Sequence, residues 1–204
     1  MIFIDVEQNS DEWFELRKGL LTSSKFSVVM ANEDKAFGEP AKKLAVKIAL
    51  EIEKGERIES EFTSKEMERG HELEPLADER YQFETFNTTL NGGFFKHEKI
   101  LIGGSPDRRI ENQNKITEIK SVIYTTQNLT IKRAKEDPSY KWQYQGNIWL
   151  SESESLDFIS FCPECTYKNQ IFICEVMRDD KMINSLEKRI NDFFELVEKE
   201  RQFV

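Results

Sequence analysis

Gly103-Gly104-Ser105-Pro106-Asp107, then Glu111-Asn112-Gln113-Asn114, then Ile116-Thr117-Glu118-Ile119-Lys120-Ser121 is the stretch on which the reading of this chain turns. The glycines and Pro106 read as a turn that delivers the chain to a strand opened by Asp107. Glu111 to Asn114 is a polar turn, and Ile116 to Ser121 is the next strand. With Asn112-Gln113 at the tip, Glu111 opposes Asn114, and equal steps outward place Asp107 across from Glu118. Opposed residues share a face, with Cβ atoms about 4.5–5.5 Å apart. Lys120, two residues beyond Glu118, points the same way. Two carboxylates and an ammonium are therefore expected at one sheet edge.

Around this hairpin the pattern is helix, meander, then helix and strand again. Ser10-Asp11-Glu12 caps a short helix carrying Trp13, Phe14 and Leu16 that ends near Gly19, and Thr22-Ser23-Ser24 offers a second N-cap. Pro40 starts a helix in which Leu44, Ile48 and Ile52 recur up to Gly55. A long helical pattern runs from about Ser64 to Thr85 with Pro75 inside it. Short strands are expected near Thr89, Phe94, Ile100 to Ile102, Ile110 and Ile116 to Val122. Helices follow at Thr125 to Lys135 and Ser139 to Leu150, then strands at Leu156 to Phe161 and Gln170 to Val176. A last helix, Asp180 to Gln202, carries the stripe Ile183, Leu186, Ile190, Phe194 and Val197. This is an α/β chain with a central mixed β-sheet flanked by α-helices, read as a single domain over residues 1–204.

Composition sets outer bounds. The chain has 204 residues with 38 Asp and Glu against 29 Lys and Arg, a formal charge of −9, and 38% hydrophobic residues including 15 Phe, enough for a core. No run approaches the ~18 apolar residues of a membrane span. Met1 to Asp5 lacks the basic flank and apolar run of a signal peptide. A cytoplasmic protein with no membrane association is expected. The acidic balance argues against coating nucleic acid by bulk charge, but permits a local basic groove. Three cysteines make no disulfide framework. Cys162-Pro163-Glu164-Cys165 lacks the further ligands of a zinc or iron–sulfur site, so inert thiols are expected. Lys132-Arg133-Ala134-Lys135 reads equally as a phosphate-tracking run or a solvated helix face.

The chemistry of the hairpin is specific. Nearby carboxylates repel unless a cation sits between them, and hard oxygen ligands suit Mg²⁺ or Mn²⁺. Such an ion polarises a phosphoryl oxygen and acidifies bound water, and Lys120 can orient the nucleophile or offset transition-state charge. An isolated Glu-x-Lys on a strand is ordinarily a solvated ion pair; Gly-Ser-Pro-Asp at this spacing shifts the reading to catalysis.

Asp107 followed by Glu118-Ile119-Lys120 resembles the metal-binding signature of the restriction-endonuclease-like PD-(D/E)xK nuclease superfamily. Three further segments resemble motifs of the phage lambda-type exonucleases, in family order. They are Trp13-Phe14-Glu15-Leu16-Arg17-Lys18-Gly19 ending in Thr22-Ser23-Ser24, Met67-Glu68-Arg69-Gly70-His71-Glu72-Leu73-Glu74-Pro75, and Tyr140-Lys141-Trp142-Gln143-Tyr144-Gln145.

The resemblance implies a restriction-endonuclease-like core. It makes Asp107, Glu118 and the Ile119 carbonyl metal ligands, adds Glu74 near the metal, and places Lys120 on the attacking water. Gln143 becomes an active-site residue, with Gln145 the competing choice. Arg17, Thr22 and Ser24 become a 5′-phosphate pocket, in which a helix starting at Thr22 would also turn its N–H groups to the anion. Ser23 departs from a smaller, alanine-like residue. The implied activity is Mg²⁺-dependent 5′-to-3′ digestion of double-stranded DNA ends to mononucleotides, leaving a 3′ single strand. The implied assembly is a homotrimeric ring partnered by a single-strand-annealing recombinase. A structure-specific endonuclease of the same superfamily and a non-catalytic DNA-binding phage accessory protein are the rival readings.

Overall fold

A computed structural model describes residues 1–32, 35–58 and 65–204. Nine strands form two sheets among these residues. One has the order β1 (Ile2–Ile4), β4 (Phe94–Lys96), β5 (Ile102–Gly104), β2 (Leu21–Thr22). The other runs β3 (Thr89–Asn91), β6 (Arg108–Ile110), β7 (Lys115–Ser121), β8 (Ser155–Phe161), β9 (Ile171–Met177). Each is mixed, with β2–β5 and β7–β8 the parallel pairs. The sequence pattern suggested one sheet. The two- and three-residue strands β1 and β2 are too short to show a period, and they supply the edges of the second.

Helix ends follow their capping chemistry. In α1 (Asp11–Leu16) the Ser10 hydroxyl accepts the Trp13 N–H at 3.2 Å, and Asp11 and Glu12 complement the dipole in the first turn. The expected helix at Thr22 is different. Ser23–Lys25 is a 3₁₀ turn leading into a five-residue helix α2 (Phe26–Met30), and Thr22 makes no capping bond. Its hydroxyl is turned elsewhere, as described below. α3 (Glu39–Lys54) stops at Gly55, whose φ of 65° suits glycine in the left-handed region. α4 (Lys65–Thr85) continues through Pro75, and the expected first residue, Ser64, lies outside the described residues.

The five-stranded sheet is covered on both faces. Leu73, Ala77 and Tyr81 of α4 pack on Ile110, Ile119, Ile159 and Phe161. On the other face Tyr144 and Ile148 of α6 (Lys141–Leu150) pack on Ile116, Leu156 and Phe158. α5 (Tyr124–Arg133) joins α6 in the crossover that a parallel β7–β8 pair requires. The largest core lies between α3, α2, α6 and α7 (Asp180–Arg201). Ala41, Ala45 and Ala49 line the buried face of α3, a stripe of small residues that the Leu44, Ile48, Ile52 pattern did not reveal. On α7 the buried aromatic is Phe193 rather than Phe194, which lies at the edge. Ile183, Leu186, Ile190, Phe193 and Val197 keep the three-four spacing of a helix face.

Gly103 and Gly104, read from sequence as a turn, are strand residues of β5. Their reason is space. A Cβ on Gly103 would enter the Phe94 ring, and one on Gly104 would crowd Leu150 and Ser23 Oγ at 3.0 Å each and press on the Asn147 side chain. The turn is left to Ser105 and Pro106.

Candidate active site

The hairpin register is the one the spacing implies. Arg108 pairs with Thr117 and Arg109 with Ile116, so Asp107, whose N–H donates to the Thr117 carbonyl at 3.1 Å, stands opposite Glu118. The tip is the polar Glu111–Asn114 segment, with Asn112 at φ 60°, a conformation Asn tolerates. β6 begins only at Arg108, which leaves the β7 edge open beside Asp107. Asp107 Oδ2 accepts the Ile119 N–H there at 2.6 Å. In a strand the N–H and C=O of one residue face the same neighbour, so the Ile119 carbonyl also lies on Asp107's side.

Glu118 is almost completely buried, at 1% exposure, and it organises the centre. Lys120 Nζ donates to its Oε1 at 2.7 Å, Gln143 Nε2 donates to the same oxygen, and Asn147 Nδ2 donates to Oε2 at 2.9 Å. Gln143 and Asn147 are one turn apart on α6 and reach β7 from the same side. Asn147 was not singled out from the sequence, although its i+4 spacing from Gln143 was a signal that could have found it. Gln145, the competing choice, faces away. Its amide donates to the Met177 carbonyl and its Oε1 accepts the Asp179 N–H, both at 2.8 Å, joining α6 to the β9–α7 connection.

The electrostatics of this cluster favour a cation. Burial, then Glu118 and Glu74, push the Asp107 carboxyl well above the usual carboxylate range, against the opposing pull of Lys120 and the Ile119 N–H. Burial lowers the Lys120 pKa, but Glu118 and Asp107 outweigh it and the net shift is upward, so the ammonium stays charged. A divalent ion at the edge would relieve the remaining repulsion. A carboxylate has about four lone-pair sites, of which Glu118 uses three and Asp107 at least one. The donor set available is carboxylate and carbonyl oxygen, which fits a hard divalent ion. Among the described residues no three Asp, Glu, His or Cys side chains make a closed cage.

Glu74 reaches this edge from α4, but not alone. Strand alternation turns Arg108 to the α4 face, where its NH1 donates to Glu74 Oε1 at 2.7 Å and its Nε to Asp78 Oδ2 at 3.0 Å. The same NH1 donates to the Asp107 carbonyl at 2.6 Å. Arg108 thus ties Glu74 to the strand carrying Asp107, a role the sequence reading missed. A cavity of about 560 Å³, lined in part by Gln8, Asn9, His71, Glu74, Asn91 and Arg108, opens beside it.

Arg17, Thr22 and Ser24 come together beside Trp13. Trp13 Nε1 donates to Ser105 Oγ at 2.7 Å and fixes α1 against the β5–β6 connection. Arg17 lies 3.9 Å over the Trp13 ring and donates to Thr22 Oγ1 at 3.4 Å, and Thr22 and Ser24 hydroxyls are 3.2 Å apart. Arg17 has no ion-paired carboxylate among the described residues. Burial, then the neighbouring Arg57 charge, lowers its pKa to about 10. Because a 3₁₀ turn replaces the expected helix start, the donors here are the side chains, not a helix N-terminus.

Two sequence motifs remain. Cys162 and Cys165 are buried free thiols, and burial followed by the Glu164 contact pushes Cys162 up to about 12, away from reactive thiolate. Arg133 folds back on the Lys135 carbonyl and Thr130 hydroxyl, while Lys132 and Lys135 are exposed. No helix among the described residues is long and apolar enough to cross a membrane.

Residues 12–154 match the model of the YqaJ-like viral recombinase domain. Among solved structures the chain is similar to an alkaline exonuclease from Laribacter hongkongensis, at 28% identity and a TM-score of 0.84 over 95% of both chains. The same enzyme in complex with dAMP aligns at 28% identity and a TM-score of 0.85, again over 95% of both chains. A phage-related exonuclease from Haemophilus somnus 129PT shares the fold, at 15% identity and a TM-score of 0.69 over 88% of this chain and 94% of that one. No curated protein matches the chain.

Proposed function

The chain belongs to the YqaJ-like viral recombinase domain family, and we propose that this nuclease is a Mg²⁺-dependent exonuclease acting on double-stranded DNA ends. The observation that carries the reading is the convergence of Asp107, Glu118 and Lys120 on one edge of β7, with Gln143 on the same carboxylate. Similarity to the Laribacter alkaline exonuclease along nearly the whole chain supports it.

Asp107, Glu118 and the Ile119 carbonyl would hold the divalent ion, with Glu74 reaching its waters; Mn²⁺ would substitute. When bound, that ion supplies a Lewis acid for the scissile phosphate and lowers the pKa of water. The chain's own residues do the rest. Lys120, held by Glu118 and lying 4.7 Å from the Tyr140 ring centroid, presents an ammonium to the incoming oxygen and to developing phosphoryl charge. Gln143 and Asn147, together with Lys120, occupy three acceptor positions of Glu118 and hold it oriented. Arg17, Thr22 and Ser24 form the seat for the 5′-terminal phosphate.

Polarity follows from that seat. Water adds to phosphorus, the bond to the 3′ oxygen breaks, and that oxygen takes a proton, so a nucleoside 5′-monophosphate leaves. The shortened strand again begins with a 5′-phosphate and can re-enter the same pocket. A homotrimeric ring enclosing the duplex, and a single-strand-annealing recombinase as partner for the exposed 3′ strand, complete the reading and rest on the lambda-type resemblance.

The test is time-resolved digestion of a linear duplex labelled separately at each 5′ end and internally, with and without Mg²⁺. Early release of the 5′ label as mononucleotide, dependent on the metal, is expected. Sustained cleavage of a covalently closed circular duplex would overturn the exonuclease reading and favour a structure-specific endonuclease. Absence of hydrolysis in either metal would favour an accessory role.

A further inference from the structure

The strand β9 ends the five-stranded sheet without the features by which sheets ordinarily close their edges. It runs for seven residues in unbroken register with β8, has no proline or glycine, and holds a single charge in Ile171-Phe172-Ile173-Cys174-Glu175-Val176-Met177. Sheets usually blunt an edge by shortness, charge, proline or a bulge, and a long apolar edge is a template for pairing with another chain. The opposite edge, β3, is only three residues long. Hydrogen-bond parity fixes which backbone groups of β9 are open. Cys162 N–H donates to the Gln170 carbonyl at 2.8 Å and Arg178 N–H to the Glu154 carbonyl at 3.0 Å, one bond beyond each end of the strand and both in its register. The even-numbered residues of β9 therefore bond β8, and the N–H and C=O groups of Ile171, Ile173, Glu175 and Met177 point out of the edge. Among the described residues β9 has no second strand partner. Beside it opens a cavity of about 400 Å³ lined by Arg80, Glu84, Tyr167, Lys168, Ile171 and Ile173. Arg80 lies 3.6 Å over the Tyr167 ring and pairs with Glu84, and its Nε is buried without a partner among the described residues.

We propose that this edge binds the same edge of a second copy of the chain, antiparallel about a two-fold axis at Cys174. That axis overlaps the whole strand and pairs the open residues with one another, Ile171 with the partner's Met177 and Ile173 with the partner's Glu175. Moving the axis to Glu175 would oppose two carboxylates and shorten the ladder. Charge sets the same register. Glu175 lies on the α4 face with Ile171 and Ile173, held there by Lys115 and Ser155. In the pair, the partner's Glu175 stands across from Ile173 at the cavity, where Arg80 and Lys168 supply positive charge. Met177, 60% exposed in the single chain, is covered at the same time. On the other face Phe172 stands across from the partner's Val176, an aromatic against a β-branched side chain. The contact is isologous, so every favourable pair occurs twice and the assembly closes. Ladder bonds supply the affinity and the side-chain pairs the specificity. None of this depends on the nuclease reading; if the ring of the lambda-type resemblance forms, this edge joins two rings.

The test is sedimentation velocity of the full chain over a concentration series, with hydrogen exchange and disulfide trapping read on the same samples. The parent should reach an even number of chains, and the Ile171, Ile173, Glu175 and Met177 amides should exchange more slowly as concentration rises. Cys174 would oppose its own copy in a non-hydrogen-bonded pair, with Cα atoms about 4.5 Å apart and within disulfide reach. Diamide, which takes two hydrogens from two thiols, should therefore link Cys174 to Cys174 between chains. Ile173→Pro removes an outward N–H while the bonds to β8 stay, and Glu175→Lys keeps the backbone but faces Arg80 and Lys168 with a like charge. Each should weaken assembly roughly tenfold or more, since the two-fold counts every change twice. Cys174→Ser should assemble as the parent does and lose only the link. A monomer or an odd assembly at every concentration overturns the inference, whatever the exchange rates. An even assembly that Glu175→Lys does not weaken, or in which no Cys174 link forms, places the contact elsewhere and overturns it as well. If Ile173→Pro fails to fold, Glu175→Lys and the link still decide.

Discussion

Replacing Arg108 by Met tests whether the site and the fold share one tether. Met keeps much of the aliphatic stem, so the change reports chiefly on charge. Arg108 bridges Glu74 and Asp78, which lie one helical turn apart on α4, and also donates to the Asp107 carbonyl. The side chains are 20%, 22% and 13% exposed, for Arg108, Glu74 and Asp78 in that order, placing the pairs between surface and interior. An exposed pair contributes at most about 1 kcal/mol, whereas breaking a buried one costs about 3–5 kcal/mol. Arg108→Met should therefore destabilise the chain by about 2–3 kcal/mol, which for this size lowers the melting midpoint by about 5–10 °C. Much of the loss should reside in the two carboxylates left facing each other. Asp78 is the more vulnerable, since among the described residues its Oδ1 is buried without a partner and Oδ2 keeps only Thr89 and Gln82. Asp78→Asn should consequently recover about 1 kcal/mol in the Arg108→Met background and be destabilising in the parent, a coupling that a double-mutant cycle reads directly. Urea denaturation is the assay, because guanidinium would screen the charges under study. A midpoint for Arg108→Met within about 0.5 kcal/mol of the parent, or additive behaviour with Asp78→Asn, would refute the tether.

Lys120→Met should reduce turnover by at least about 100-fold while leaving DNA binding in EDTA within about threefold, measured by single-turnover digestion and anisotropy. Gln143→Leu and Gln145→Leu should separate cleanly. The first should lower turnover through Glu118, and the second should cost about 1–2 kcal/mol in stability through the Met177 and Asp179 backbone contacts, with less effect per folded molecule on cleavage. Gly104→Ala should reduce activity more than its stability cost implies, because the added methyl displaces Asn147 from Glu118; a crystal structure with Asn147 unmoved would refute this. At pH 7.5 iodoacetamide should label Cys162 very slowly until urea unfolds the chain, since its thiol is buried and raised to about 12. Mass spectrometry of the labelled peptide is the check.

What the sequence disclosed and what it concealed divide along a physical line. Strand register is arithmetic. Once Glu111 to Asn114 is a turn, the pairing of Asp107 with Glu118 follows from counting, and the observed pairs Arg108–Thr117 and Arg109–Ile116 have the same sum. Capping residues and helix periods are equally local, so Ser10, Gly55 and most of the α7 stripe were readable. Close approach is not local. Gly103 and Gly104 look like turn glycines in any one-dimensional reading, but they are small because Phe94 and the α6 side chains occupy the space a Cβ would need. Arg108 sits beside a residue that was singled out, yet its partners are 34 and 30 residues away on a helix whose azimuth the sequence does not state. The Gly19 and Ile58 backbones are tied together by Glu51, itself legible only as one more acid on an amphipathic helix. The residues found early are thus those that would touch the reacting phosphate. Those found late hold them at the required distances, and a chemical motif constrains that second set only weakly. Exchange of Glu51 for Gln makes the distinction concrete. It leaves every motif residue in place and can still accept through its amide oxygen at one of the two N–H groups. It should therefore loosen the Gly19 or the Ile58 backbone, and weaken binding of phosphorylated ends at Arg17 while Mn²⁺ affinity at Asp107 and Glu118 is retained.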